Sequence, residues 1–437
     1  MAVDPDGAGA GQVDGRARAE FAPNALAADI GRRMTDATFS PAEQEIATAI
    51  TDAGKAGEPL LVCGNGTKRG MLRPVQAARR ISTSSLTGIT LYAPKELIIS
   101  ARAGTPLPDI EAALAENGQH LIAEPPDLTA LLGADVPASG VPQTIGGIVA
   151  TNLSGPRRVA WGAMRDHVMG IRAVNGAGEV IHSGGRVLKN VTGLDLCKLL
   201  SGSHGTLAVI TEVTLKVLPA PETTGSVVLP GLDAARGVAA LSAGLGSPYG
   251  VSAAAWLPDA ALVPELACSG SATVLRIEDF AASVAYRTDR LRTDLAPFAD
   301  ARILDDSASR AVWRAIRDAT PLPAPPSAAV WRVSVRPSAG PAVLSAVAEV
   351  GVQGFLDWGG GLVWLAGPAD TATHHAVAAA ARAAHGTWTL VRAPDALRVA
   401  VDVIPPEAEP LARITRRVKA AFDPHGILNP GRLYAGL

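Results

Sequence analysis

The chain has 437 residues, too many for one hydrophobic core, so two domains and a tail are expected. Its 39 basic and 41 acidic residues leave a formal net charge of -2, which offers no polycationic surface and excludes nucleic acid as a partner class. The 3 cysteines, Cys63, Cys197 and Cys268, lie far apart with no C-x-x-C spacing, which supports neither a disulfide framework nor an iron–sulfur site and fits a reducing cytoplasm.

The opening stretch, 1–35, starts acidic and rich in Gly and Ala, lacks the basic and apolar regions of a secretory signal, and reads as a flexible tail. No window holds the roughly eighteen uninterrupted apolar residues of a membrane span, so a place at the inner face of a membrane would come only through partners. Residues 36–220 form the first expected domain, an α+β unit in which β-rich runs alternate with short helical stretches. Leu60-Leu61-Val62-Cys63 is a strand, GITLYAP and ELIISARAG follow as strands, and a helical pattern runs from Pro106 to Glu116. In HVMGIRAVNGAGEVIHSG two alternating strands flank Asn175-Gly176-Ala177-Gly178, a hairpin turn, because Asn and Gly accept positive φ. GTLAVITEVTLKVLP is a β-branched run that reads as a buried strand pair or one long bent strand.

Residues 221–404 change to Ala-rich helices alternating with single strands such as VSAAAWL, ATVLRIE, AAVWRVSVRP and LVWLAG. This predicts an α+β cap domain with an open antiparallel sheet under helices. The prolines at 322–327 form a loop, and 405–437 begins as an amphipathic helix that Pro424 stops before the chain folds back on the first domain.

The first strand ends abruptly in Gly64-Asn65-Gly66-Thr67-Lys68-Arg69-Gly70. Gly64 and Gly66 let backbone N–H groups converge on an anion, Asn65 and Thr67 add donors, and Lys68 adds charge, so a diphosphate is the natural occupant. The spacing is wrong for a Walker A loop, and the stretch 84–88 carries no acid to hold a ribose as the Rossmann fingerprint requires. A second small-residue element runs from Ser139 through Gly140, Thr144, Gly146, Gly147, Thr151 and Asn152 to Ser154 and Gly155. Its small residues let a flat ring approach the backbone while Thr144, Thr151 and Asn152 bond polar edges. A third element, Leu200 to Thr211, contains Gly205, Thr206, Val209 and Ile210 in a turn entering a strand. Elements this far apart fit an extended cofactor lying across one domain.

In these motifs the chain resembles the flavoproteins with a vanillyl-alcohol-oxidase or PCMH-type FAD domain. The resemblance rests on Thr144-Ile145-Gly146-Gly147 through Asn152, on Gly202 through Thr211, and on Phe422-Asp423-Pro424-His425-Gly426-Ile427-Leu428-Asn429-Pro430-Gly431 at the end. Leu153 to Arg158, Gly162 to Asp166, Gly185 to Gly193 and the paired tryptophans of Asp357 to Trp364 are similar to the flavin subunits of bacterial glycolate oxidases. The resemblance implies a two-part PCMH-type FAD-binding domain followed by a cap, noncovalent FAD, and a substrate such as glycolate or another small 2-hydroxy acid. It also implies partners: a related FAD-linked catalytic subunit and an iron–sulfur subunit. Lys189 and Asn190 would approach the flavin face, with a capped turn as the plain alternative.

The chain departs from catalytic members in lacking a late H-x-G-D-G-N-x-H segment, so the catalytic base is unknown and no metal is expected. His374 and His375 sit in a helical pattern where neighbours point about 100° apart. The phosphate loop has no His for covalent attachment; Cys63 reads as a small buried strand residue, Cys197 as a helix core position, and His204 as a turn residue or a cofactor contact. Arg276, Arg317 and Arg332 are the candidates for clamping a substrate carboxylate, against the plainer reading of surface charges or ion-pair partners. Three functions therefore stand open: a flavin subunit passing electrons from a catalytic sister, a self-sufficient dehydrogenase, or a nonenzymatic assembly subunit.

Overall fold

The computed structural model describes residues 41–133, 140–185 and 194–437; the expected tail at 1–35 and the pair Lys189 and Asn190 lie outside them. Helix α1 (Pro41–Ala56) buries Ile46, Ile50 and Ala53 on one stripe at helical spacing. Strand β1 (Leu60–Cys63) pairs in parallel with β2 (Arg79–Ser82), and β3 (Ile89–Ala93) forms an antiparallel pair with β4 (Ile98–Arg102). Helix α2 (Leu107–Ala115) precedes the short β5 (Gln119–His120), and helix α3 (Ile145–Thr151) precedes β6 (Val168–Asn175) and β7 (Val180–Gly184). The turn between β6 and β7 is the expected one, held by Asn175, whose Oδ1 accepts from Ala177 N at 3.0 Å and Glu179 N at 2.9 Å. The β-branched run resolves into β8 (Ala208–Lys216) and a short β9 (Leu218–Pro219) that pairs with β5. The resulting 5-stranded sheet is antiparallel, in the order β3-β4-β8-β6-β7.

The second sheet has 8 strands in the order β13-β10-β12-β11-β15-β16-β14-β17. They are β10 (Thr223–Pro230), β11 (Val251–Leu257), β12 (Ala272–Asp279), β13 (Arg302–Leu304), β14 (Ala329–Ser334), β15 (Gln353–Asp357), β16 (Leu362–Gly367) and β17 (Thr387–Arg392). Every pairing is antiparallel, and helices such as α4 (Asp306–Arg317) pack on the strands, as an α+β fold requires. The largest apolar cluster is built on this sheet, with Trp331, Phe355, Val363 and Leu365 buried beside Val312 and Trp313 of α4. His374 belongs to that core: Trp331 Nε1 donates to its Nδ1 at 3.2 Å, so it is a structural residue. Helix α5 (Glu409–Phe422) ends before Pro424, and Leu428 then bridges in parallel to Leu60, which returns the chain to β1.

Candidate flavin site

Strand β1 delivers the chain into the glycine loop beside the N-terminus of α3. Gly66 adopts φ +78°, a conformation that glycine reaches without strain. A methyl group on Gly64 would overlap the Thr144 hydroxyl, so this glycine is needed for the loop to lie against α3. Asn65 Nδ2 donates to Pro142 O at 2.8 Å, and Lys68 Nζ donates to Gln143 Oε1 at 2.8 Å. The loop is therefore fastened to the second element rather than free in solvent. Thr144 caps α3 by accepting from Gly147 N at 3.4 Å, while Gly146 N donates to Ala103 O at 2.8 Å and seats the helix on β4. In the third element His204, at φ +53°, donates its backbone N–H to Ala150 O at 2.8 Å.

Two residues that sequence reasoning left out close the same cleft from the C-terminus. Asn429 Oδ1 accepts from Val62 N at 2.8 Å, and its Nδ2 donates to Val62 O at 3.2 Å and His204 O at 2.8 Å. It thereby pins β1 to the His204 turn. Arg432 donates to the carbonyls of Lys68 at 2.9 Å, Arg69 at 3.2 Å and Arg73 at 2.9 Å, bracing the glycine loop from behind. The signal available for them was the N-P-G stretch of the C-terminal motif.

Gly64, Asn65, Gly66, Thr67, Lys68, Thr144, Gly146, Gly147, Thr151, Gly205, Val209 and Ile210 all line one cleft, together with Cys63, His204, Asn429 and Arg432. It encloses about 760 Å³ of atom-free space, part of it open to solvent. Cys63 is thus a half-buried wall residue rather than a buried strand end, because β1 and β2 form a sheet of 2 strands that covers it incompletely. Burial pushes the Lys68 ammonium down to about 8, and burial with the neighbouring Arg398 and Arg69 pushes Arg432 down to about 9. Neither cation meets a carboxylate among the described residues. Arg432 is buried and Lys68 half-buried, with Asp127 acting on Lys68 only at a distance, so the two cations suit an anion that arrives from outside. Burial and Arg432 hold the His204 imidazole neutral, down to about 3.

The remaining expected residues lie elsewhere and do structural work. Gly140 is exposed at φ +104°. Asn152 ends α3 in a left-handed conformation, its Oδ1 accepting from Arg165 N at 2.9 Å. Ser154 Oγ accepts from Met164 N at 2.8 Å, Thr206 Oγ1 donates to Ser203 O at 2.7 Å, and Gly155 presses on the Glu124 carbonyl. None of these 5 lines the cleft.

The chain's relatives agree with this geometry. Residues 39–184 match the family described as FAD binding domain, and residues 407–433 match that described as FAD linked oxidases, C-terminal domain. Glycolate oxidase subunit GlcE of Escherichia coli is 33% identical over 395 residues, 90% of this chain and 97% of that one. The chain belongs to the FAD-linked oxidases. It is also similar to glycolate oxidase subunit GlcD of Bacillus subtilis, 31% identical over 192 residues, 44% of this chain and 38% of that protein. The 4-ethylphenol oxidase from Gulosibacter chungangensis superposes with a TM-score of 0.65 at 13% identity, covering 90% of this chain and 88% of its own, a likeness of fold alone. FAD is the cofactor of this FAD-linked oxidase, and the cleft fits it: a dinucleotide carries a diphosphate suited to Lys68 and Arg432, Gly146 lets the helix sit closely on Ala103, and Gly147 lines the cleft without a side chain.

Of the carboxylate candidates, two are already spent. Arg276 is buried and donates to Glu124 Oε1 at 2.8 Å, Glu124 Oε2 at 2.9 Å and Ser252 Oγ at 3.1 Å, which makes it a domain tie and corrects its reading as a substrate ligand. Arg317 is held by its neighbour Asp318 at 2.8 Å through two bonds. Arg332 differs. Its guanidinium lies 5.4 Å from the ring centre of Trp358 and 5.0 Å from that of Trp364, and its Nε has no hydrogen-bond partner among the described residues.

Proposed function

We propose that this chain is the FAD-binding subunit of a glycolate-oxidising complex, converting glycolate or a similar small 2-hydroxy acid to the 2-oxo acid. The observation that carries the reading is the full-length likeness to GlcE, joined to a cleft lined by Lys68 and Arg432, neither of which pairs with a carboxylate among the described residues. Bound FAD supplies an acceptor for the hydride of the substrate C–H bond. The protein's own residues do the rest. Lys68 and Arg432 would neutralise the diphosphate and the Gly64 to Gly66 backbone would hold it, while Asn429 keeps β1 and the His204 turn together and α3 forms one wall of the cleft. With no His in the glycine loop, the cofactor is held noncovalently.

The likeness to subunits named GlcE and GlcD supports a multi-subunit assembly, in which electrons leave through a second flavin subunit and an iron–sulfur subunit. Among the described residues no helix is long and apolar enough to cross a membrane, so any station at the inner face would come through those partners. The uncommitted Arg332 favours oxidation of the substrate on this chain over a pure relay role.

An absorption spectrum of the purified chain, before and after anaerobic glycolate, tests the reading. Oxidised-flavin bands that bleach are expected. A chain that purifies without flavin and takes up none when FAD is added would overturn it.

A further inference from the structure

The antiparallel register places Arg332, Trp364, Phe355 and Asp357 on one face of the larger sheet, because directly opposed residues share a face and successive residues alternate. Leu356 opposes Trp256, which opposes Thr273, so Arg276 shares the face of Asp357. That face looks onto the flavin-binding half: Arg276 meets Glu124 there, and Trp358 Nε1 donates to Gly155 O at 3.1 Å, only a few residues beyond the end of α3.

Two groups on this face are out of balance. Among the described residues Arg332 has no carboxylate in ion-pair contact, and its buried Nε has no acceptor. Asp357 is 2% exposed; its Oδ1 accepts from Trp358 N at 2.7 Å, and its second oxygen has no partner among the described residues. The two side chains sense each other electrostatically without forming an ion pair. A carboxylate and a guanidinium left apart in a desolvated place cost stability, and such costs persist at sites that await a ligand.

We propose that Arg332 and Asp357 are the substrate end of the site: Arg332 receives the carboxylate of a small 2-hydroxy acid, and Asp357 accepts the proton of its hydroxyl group. This rests on the flavin reading above. In the step, the hydroxyl O–H bond breaks and its proton passes to Asp357, while the electron pair left on oxygen becomes the second bond of the new C=O. The C–H bond of the same carbon breaks with its electron pair, and that hydride leaves for the oxidised flavin. The hydroxy acid loses two electrons and two hydrogens: Asp357 takes one hydrogen as a proton, and bound FAD would supply the acceptor for the other as a hydride.

The charges around Asp357 suit the task. Burial pushes its carboxyl up to about 7, with Glu124 adding to the rise and Arg276 and Arg332 opposing it. A proton acceptor in that range is matched to neutral pH.

Asp357→Asn preserves the acceptor for Trp358 N–H and removes the base. In the full chain we expect normal flavin content, oxalate binding within about threefold of wild type, and flavin reduction by glycolate slowed about 10²–10⁴-fold. The wild-type reduction rate should climb with pH through about 7 and level off, and the variant should lose that rise. Independently of turnover, the variant should gain thermal stability over wild type by an amount that grows as pH rises from about 4 to about 7, because a raised carboxyl pKa makes the wild type less stable across that window. Arg332→Met should weaken oxalate binding about tenfold or more, read from the flavin spectrum. A wild-type chain without flavin defeats the flavin reading itself. A flavin-loaded wild type that Asp357→Asn matches in rate and pH profile, or one that glycolate never bleaches, overturns this assignment alone.

Discussion

Arg276 of β12 places its two terminal nitrogens on the two oxygens of Glu124, at 2.8 and 2.9 Å, joining the larger sheet to the segment that precedes the second glycine element. Beside this pair Arg157 grips Glu278 at 3.1 and 2.7 Å, so two arginines and two glutamates form one buried square. Burial alone would raise the Glu124 carboxyl; Arg276 and Arg157 hold it below the ordinary range, and Glu278 is likewise held low. Glu124→Gln should cost about 3 kcal/mol by taking the bidentate carboxylate from Arg276 and leaving it only Glu278, at 3.2 Å, whereas the double variant with Arg276→Met should recover part of it. Because the folded-state values are depressed, the contribution is present above the usual carboxylate range and lost as pH falls through the lowered values. Thermal denaturation of the single and double variants at several pH values measures both effects.

Gly66 holds φ +78° in the loop, where a β-branched residue is strained. Gly66→Val is expected to purify folded, with circular dichroism unchanged, and to lose its flavin absorbance. Undiminished flavin in that variant would remove the loop from the diphosphate site.

Lys68 has its pKa pushed down to about 8 in the free cleft, so above that pH the ammonium progressively loses its proton. A diphosphate favours the charged form, and binding should therefore take up a proton above pH 8, with affinity for FAD falling as pH rises. Lys68→Met should weaken FAD binding by about tenfold to a hundredfold at pH 7 and flatten this dependence, as loss of a charge-assisted bond of about 1.5–3 kcal/mol implies. Titration of apoprotein with FAD, followed by flavin fluorescence at pH 7 and pH 9.5, decides it.

Arg432 and Asn429 brace the cleft from a segment at the far end of the chain. Arg432→Met should leave three loop carbonyls without their donor and raise the Kd for FAD, while Asn429→Ala should do so by loosening β1 from the His204 turn. Limited proteolysis should then cut near residues 64–70 faster than in wild type. Equal cutting rates and equal Kd values would argue against a bracing role.

The sequence by itself determined the elements whose causes are local. Glycines at Gly64 and Gly66 after an apolar strand, alternation in β6 and β7 around Asn175, and the stop at Pro424 each act within a few residues, and each is visible in the order of side chains. The glycine loop, the α3 element and the Gly205 turn could be read for the same reason. The tertiary structure alone decided which charges are spent. Arg276 and Arg332 occupy similar strand contexts, yet one meets Glu124, 152 positions away in sequence, and the other packs against the rings of Trp358 and Trp364. Asn429 reaches Val62 across 367 positions. Ion pairs and caps of this kind depend on which distant segments the fold brings together, and a guanidinium's partner cannot be read from the residues beside it.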